Sequence, residues 1–177
     1  RRYSELWKDM RNELKSAEQF EIHIFGGRWG LACNCIHMLD IIDFITGSDC
    51  NELHIRQMNI SPNVIDSKRQ GYKEVFGMVS GECGNCTNFT ISCYDSNLPF
   101  EISIITPEAK YLIDEDISKF ERIGIDGSIV EKKYMPAYVS ELTKLIVNDI
   151  FNNQECKLSK YEKSASFHLE YIKPLIK

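Results

Sequence analysis

Phe20-Glu21-Ile22-His23-Ile24-Phe25-Gly26-Gly27-Arg28-Trp29-Gly30 runs straight into Leu31-Ala32-Cys33-Asn34-Cys35-Ile36-His37-Met38-Leu39-Asp40, and these two stretches decide the fold. The first alternates apolar and polar residues up to Phe25, the period of a strand, and Gly26-Gly27 ends it. In the second, Ile36, Leu39, Ile42 and Phe44-Ile45 recur at helical intervals as far as Thr46, and Gly47 supplies a stop. A helix apolar over so much of its circumference is expected to be largely buried. Upstream, Leu6, Trp7, Met10 and Leu14 stand among Lys, Arg and Glu, which predicts an amphipathic helix over Glu5–Ala17.

Beyond Glu52 the period shortens. Alternating runs predict strands near Glu52–Ile60, Tyr72–Ser80, Thr87–Tyr94, Phe100–Ile105, Ala109–Asp114, Phe120–Ile125 and Ser128–Lys133. The turn residues between them imply hairpins, with Asp126-Gly127 read as a type I′ turn, whose two central positions both need a positive φ. Pro136 is expected to open a helix reaching Ile150 and ending near Asn152-Asn153. Ser159 and Glu162 stand at capping-box spacing for a last helix through Ala165, Leu169 and Ile172. This order predicts one α+β domain spanning residues 1–177: a large, mostly antiparallel mixed sheet with helices on one face.

Composition narrows the function. The chain has 177 residues, 43% hydrophobic and 27% charged, with 21 basic against 26 acidic side chains and a net charge of -5. No basic block offers itself to nucleic acid, and no apolar run is long enough to span a membrane. Seven cysteines, an odd number in a chain with no export signal, are expected to be reduced in a cytoplasmic protein. Cys33-x-Cys35 and Cys83-x-x-Cys86 have asymmetric spacing for zinc, and no metal is expected. Neither a Gly-x-Gly-x-x-Gly turn after a strand nor a phosphate-binding loop occurs, so no nucleotide cofactor is expected to be held by this chain itself.

His37 is the side chain best placed for chemistry. It stands in the first turns of the second helix, where unpaired amides favour anions or polarised oxygens, and Asp40 lies three residues on, close enough to orient the imidazole. An imidazole titrates near pH ~6.5 and serves as acid or base after small shifts. The same pattern also describes a core histidine bonded to Asp40 or to a carbonyl. Arg28, Trp29, Cys33 and Asn34 precede it and are candidate substrate contacts; Trp29 reads equally as a buried anchor and Arg28 as a solvated charge. His23, His54 and His168 have no ligand or carboxylate at useful spacing. Asp114-Glu115-Asp116 reads as a turn, with some capacity for a hard cation.

Taken together, Arg1-Arg2-Tyr3, the first helix and strand, Gly26-Gly27-x-x-Gly30 and Ile36-His37-Met38-Leu39-Asp40-Ile41-Ile42-x-x-Ile45-Thr46-Gly47 resemble the C-terminal half of the Gfo/Idh/MocA oxidoreductases. Phe100-Glu101-Ile102, Lys110 to Asp114, Leu145 to Leu158 and Tyr161-Glu162-Lys163-Ser164 with His168 look like that family's late strands and final helices. The resemblance implies a dihydrodipicolinate-reductase-like C-terminal domain, with an N-terminal Rossmann domain for NAD or NADP lying upstream and absent here. It implies a sugar, nucleotide-sugar or polyol substrate and a homodimer or higher oligomer formed through the sheet face. His37 would be the acid/base beside the substrate hydroxyl, Asp40 its orienting partner, and Asn34, Trp29, Arg28 and Cys33 pocket residues. Many members have an aspartate where this chain has Cys33. A non-catalytic oligomerisation or sugar-binding module of the same fold is the alternative.

Overall fold

The computed structural model describes residues 1–47, 53–67, 69–135, 138–154 and 156–175. Helix α1 (Glu5–Leu14) leads to strand β1 (Phe20–Gly27) and helix α2 (Leu31–Thr46). Seven further strands follow: β2 (Leu53–Asp66), β3 (Lys73–Cys83), β4 (Cys86–Tyr94), β5 (Glu101–Ile105), β6 (Ala109–Asp114), β7 (Lys119–Gly124) and β8 (Ile129–Lys133). Helix α3 (Val139–Asn148) runs into a π-helical turn, Asp149–Asn153, and α4 (Tyr161–Ile172) comes near the end. The strands form one mixed sheet in the order β2-β3-β4-β1-β5-β6-β7-β8. Only β1 with β4 is parallel; β1 pairs antiparallel with β5, and the other neighbours are antiparallel hairpins.

The expected α+β architecture is therefore present, and its core explains it. Ile22 and Ile24 of β1, Phe89 and Ile91 of β4, and Ile102 and Ile104 of β5 form one apolar sheet surface. Onto it pack Leu6, Trp7, Met10 and Leu14 of α1, the body of α2, and Phe167 and Tyr171 of α4. Nine residues of α2 are buried, as its near-uniform apolarity requires. Each large apolar side chain buried there contributes about 1.5–3 kcal/mol. Tyr171 ties α4 to α2 through a buried hydrogen bond to the Leu31 carbonyl (2.9 Å). On the opposite sheet surface Glu21, His23 and Phe25 alternate with the core residues, and Ile105 and Lys110 are exposed.

Several local details differ from the sequence reading. Strand β3 continues to Cys83 and β4 starts at Cys86, so the break expected between Ser80 and Thr87 is only the turn Gly84-Asn85. The Asp126-Gly127 hairpin forms, but only Gly127 has a positive φ, and a four-residue connection replaces the two-residue type I′ turn. The Asp126 carboxylate accepts the Ser128 amide (2.9 Å) and stabilises that longer loop. The Ser159 capping box is not made: Lys160 is the N-cap residue of α4, and among the described residues no side chain caps it and the buried Ser159 hydroxyl has no partner. Helix α3 starts at Val139; Pro136, expected to open it, lies outside the described residues, as does Glu52.

Candidate functional site

At the end of β1 the chain must turn under a crossing loop. The loop 95–100 passes so close that a Cβ on Gly27 would stand 1.9 Å from the Ser96 carbonyl oxygen, so only glycine fits there. The Gly27 amide donates to the Leu98 carbonyl (2.9 Å), pinning this crossing. Arg28 follows with a φ of 51° and donates from Nε to Asp95 (2.8 Å). Trp29 is anchored by its indole N–H on the Ser92 carbonyl (2.9 Å) and meets Phe100 edge-on at 5.7 Å. Gly30, with a φ of 87°, then starts α2.

The α2 N-terminus is not open to a ligand. Glu74, a buried residue of β3, accepts the Ala32 amide (3.0 Å) and the Cys33 amide (2.9 Å), supplying the negative charge that a helix start favours. This corrects the expectation that these donors await an anion or a substrate oxygen. Glu74 turns inward because β3 changes face at Gly77, whose φ is 143°: Glu74 and Phe76 are buried on one side of that residue, Val79 and Cys83 on the other. A regular alternation through β3 hides that change of face, so Glu74 is not legible as a site residue. Cys33 is exposed in the cleft, and the Glu74 carboxylate beside it, with some burial, raises its thiol pKa. Asn34 spends its amide N–H on the Trp29 carbonyl (2.7 Å), which leaves its side-chain oxygen as an acceptor.

His37 is exposed and not a core histidine. Partial burial and then the positive charge of Arg1 lower its pKa, only partly countered by Asp40, so the imidazole is neutral at pH 7. Asp40 does not hold the ring. Its carboxylate receives Arg2, Nη2 at 2.7 Å and Nε at 3.0 Å, and the same guanidinium reaches buried Asp43 at 2.8 Å. The orienting role read for Asp40 is thus taken up by an ion pair between α2 and the start of the chain. Lys163 of α4 approaches the other Asp43 oxygen at 2.6 Å.

Two cavities flank the imidazole, of about 390 and 290 Å³, and both are lined by Trp29, Asn34 and His37. The larger adds Arg28, Cys33, Asp66, Arg69, Glu74 and Phe76. The smaller adds Arg1, Met38, Phe100, Asp114, Glu115 and Asp116. Every residue proposed for the site except Asp40 therefore lines one cleft. Sequence reasoning missed Glu74, Phe100 and the role of the 114–116 turn as a wall. Glu115 takes Arg1 in two bonds (2.8 and 2.9 Å) and the Trp7 indole N–H (2.8 Å). Burial alone would raise its pKa, but these donors bring it below the ordinary value. Among the described residues, no group of three or more His, Cys, Asp or Glu is arranged to hold a metal ion. No helix among them is long and apolar enough to cross a membrane.

No family model matches the sequence, and no curated protein matches it either. Solved structures do. An oxidoreductase from Agrobacterium radiobacter, in complex with NAD+, L-tartaric acid and magnesium, superposes with a TM-score of 0.63 at 14% identity over 96% of this chain and 58% of its own. A Gfo/Idh/MocA family oxidoreductase from Vibrio cholerae gives 0.59 at 14% identity, over 99% of this chain and 59% of its own. The super-repressor mutant of Gal80p from Saccharomyces cerevisiae gives 0.63 at 14% identity, over 99% and 60%. This chain thus spans about 60% of the length of such proteins. With its eight-stranded mixed sheet, its helical layer and a cleft at the end of β1, the chain has the fold of the C-terminal domain of the Gfo/Idh/MocA oxidoreductases.

Proposed function

We propose that the chain is the substrate-binding domain of an NAD(P)-dependent oxidoreductase acting on a hydroxyl of a sugar, nucleotide-sugar or polyol. One observation carries the reading: an exposed imidazole, its pKa lowered by partial burial and by Arg1, stands where two cavities meet. An aromatic ring (Trp29), an amide acceptor (Asn34) and two acidic residues (Asp114, Asp116) surround it. That set suits a polyhydroxylated ligand, whose C–H faces lie against an aromatic ring while its hydroxyls donate to acceptors. Neutral His37 accepts the hydroxyl proton as the carbinol carbon is oxidised, and returns it in reduction.

The nicotinamide cofactor supplies the hydride chemistry when bound. The α2 N-terminus does not fit its pyrophosphate, because Glu74 occupies the amides of Ala32 and Cys33. In this reading the cofactor is held by a separate Rossmann domain of the longer protein.

In the protein carrying that domain, His37→Ala is expected to lower kcat by about 10²–10⁴-fold with KM little changed. Reduced nicotinamide absorbance over a panel of sugars and polyols reads the effect. In the parent, kcat/KM for alcohol oxidation should fall with acid through an apparent pKa below 6.5, since protonated His37 cannot take the proton. Turnover unaffected by the substitution removes the acid/base role.

A second reading, a sugar-binding or assembly module without catalysis, is favoured by one feature. The carboxylate nearest His37 in sequence is committed to Arg2, and Cys33 provides none. Sugar binding without hydride transfer in the longer protein selects it.

A further inference from the structure

A second pocket, apart from the His37 cleft, lies between α1 and the other end of α2, with buried Leu14 and Ile45 in its wall. Its volume is about 650 Å³, and Arg2, Lys8, Arg11, Lys15 and Lys157 line it with Asn12, Phe44, Thr46, Gly47 and Asn85. Five cations meet here on a chain of net charge -5, and no carboxylate is among the described lining residues. Gly47 follows His37 by ten residues of helix, a separation of about 15 Å at the helical rise.

The cations are set in place and only partly neutralised. Lys8, Arg11 and Lys15 are three, then four residues apart, which puts them in one stripe about 10 Å long, flanking the buried face of Leu6, Trp7, Met10 and Leu14. The Arg11 guanidinium lies 5.0 Å from the centre of the Phe44 ring, and Arg2 lies 5.5 Å from that centre. Arg2 is matched by Asp40 and Asp43, and Lys157 lies 3.5 Å from Asp149. Arg11 stands at the α2 C-terminus, whose partial negative charge one cation balances. Lys8 and Lys15 have no ion pair among the described residues, and Lys8 lies over Tyr3 at 5.8 Å. Asn85 donates to the Ala17 carbonyl (2.9 Å), while its buried side-chain oxygen has no partner among the described residues.

We propose that this pocket binds a small molecule carrying two phosphate groups. The stripe is longer than a single phosphate and matches two, each held by charge-assisted bonds from Lys and Arg. A sugar bisphosphate, whose phosphates stand further apart than those of inorganic pyrophosphate, spans more of the stripe.

Calorimetric titration of the 177-residue chain at low salt, with inorganic pyrophosphate and separately with glucose 1,6-bisphosphate, tests the site. Saturable one-to-one binding of at least one probe is expected, weakened tenfold or more in Lys8→Gln/Lys15→Gln and unchanged in His37→Ala. Tighter binding of the sugar bisphosphate identifies an organic ligand; equal binding identifies the phosphates alone as the recognised group. Lys15 is exposed and Lys8 half-buried over Tyr3, and the exposed Arg11, as Arg11→Gln, is a second variant expected to give the same loss. Absence of saturable binding by either probe, equal affinity in the lysine double variant, or loss of binding in His37→Ala would overturn the assignment.

Discussion

Cys33 and Glu74 show how one side chain sets the behaviour of another. Buried Glu74 caps α2 and holds the Cys33 thiol in its protonated form, while Cys33 itself stays exposed in the cleft. Glu74→Gln keeps a side-chain acceptor at the cap but removes the charge, so the Cys33 pKa should fall. Alkylation of Cys33 by iodoacetamide at pH 8, followed by peptide mass spectrometry, is expected to speed up several-fold; an unchanged rate would show that Glu74 does not control the thiol. Cys35 and Cys86, pushed up to about 12 by burial, should stay unreactive in both proteins. His37 carries a matching stability effect. The unfolded chain takes up its proton near pH 6.5 while the folded chain resists, so this residue lowers stability as pH falls below 6.5 and has no effect above it.

Among the elements, α2 is the one on which the molecule is assembled. Asp43, 2% exposed, receives Arg2 from the chain's start and Lys163 from α4, so one carboxylate joins three segments. Asp43→Asn leaves two cations facing a neutral amide in a buried place. A loss of about 3–5 kcal/mol is expected, the usual cost of removing one partner of a buried pair, measured by urea unfolding. A loss under 1 kcal/mol would mean that the network is solvated. The elements themselves were legible in the sequence, because burial of one face imposes a period of two or 3.6 on the residues: α1, β1, α2 and most later strands appear close to their expected bounds, while β2 runs on to Asp66, six residues past the expected Ile60. What was hidden follows from physics beyond the local period. The inward turn of Glu74 depends on a change of face at Gly77 within its own strand, and the Arg2–Asp40 pair joins residues 38 positions apart. The basic residues of α1 give only an amphipathic pattern in the sequence, which does not bring Lys157, Phe44 and Asn85 next to them.

For the whole molecule, we propose that the sheet surface bearing Glu21, His23 and Phe25 pairs with the same surface of a second copy. Its support is the one-sided packing: α1, α2 and α4 contribute to the core on the Ile22 and Ile24 side. Sedimentation of the 177-residue chain should give a dimer mass, and Phe25→Glu should shift it toward monomer; a monomer at micromolar concentration in the parent rules the pairing out. The strand order has a different consequence, for how the chain reaches this state. β1 is made early but lies in the middle, between β4 and β5, whose partner residues are about 66 to 84 positions downstream of it. The wings β2-β3-β4 and β5-β6-β7-β8 are successive hairpins that close over short loops, whereas β1 must wait for both. Joining them is then the slow, late event of folding, and until it happens the newly made β1, with its apolar Ile22 and Ile24, is an unpaired edge in need of shelter.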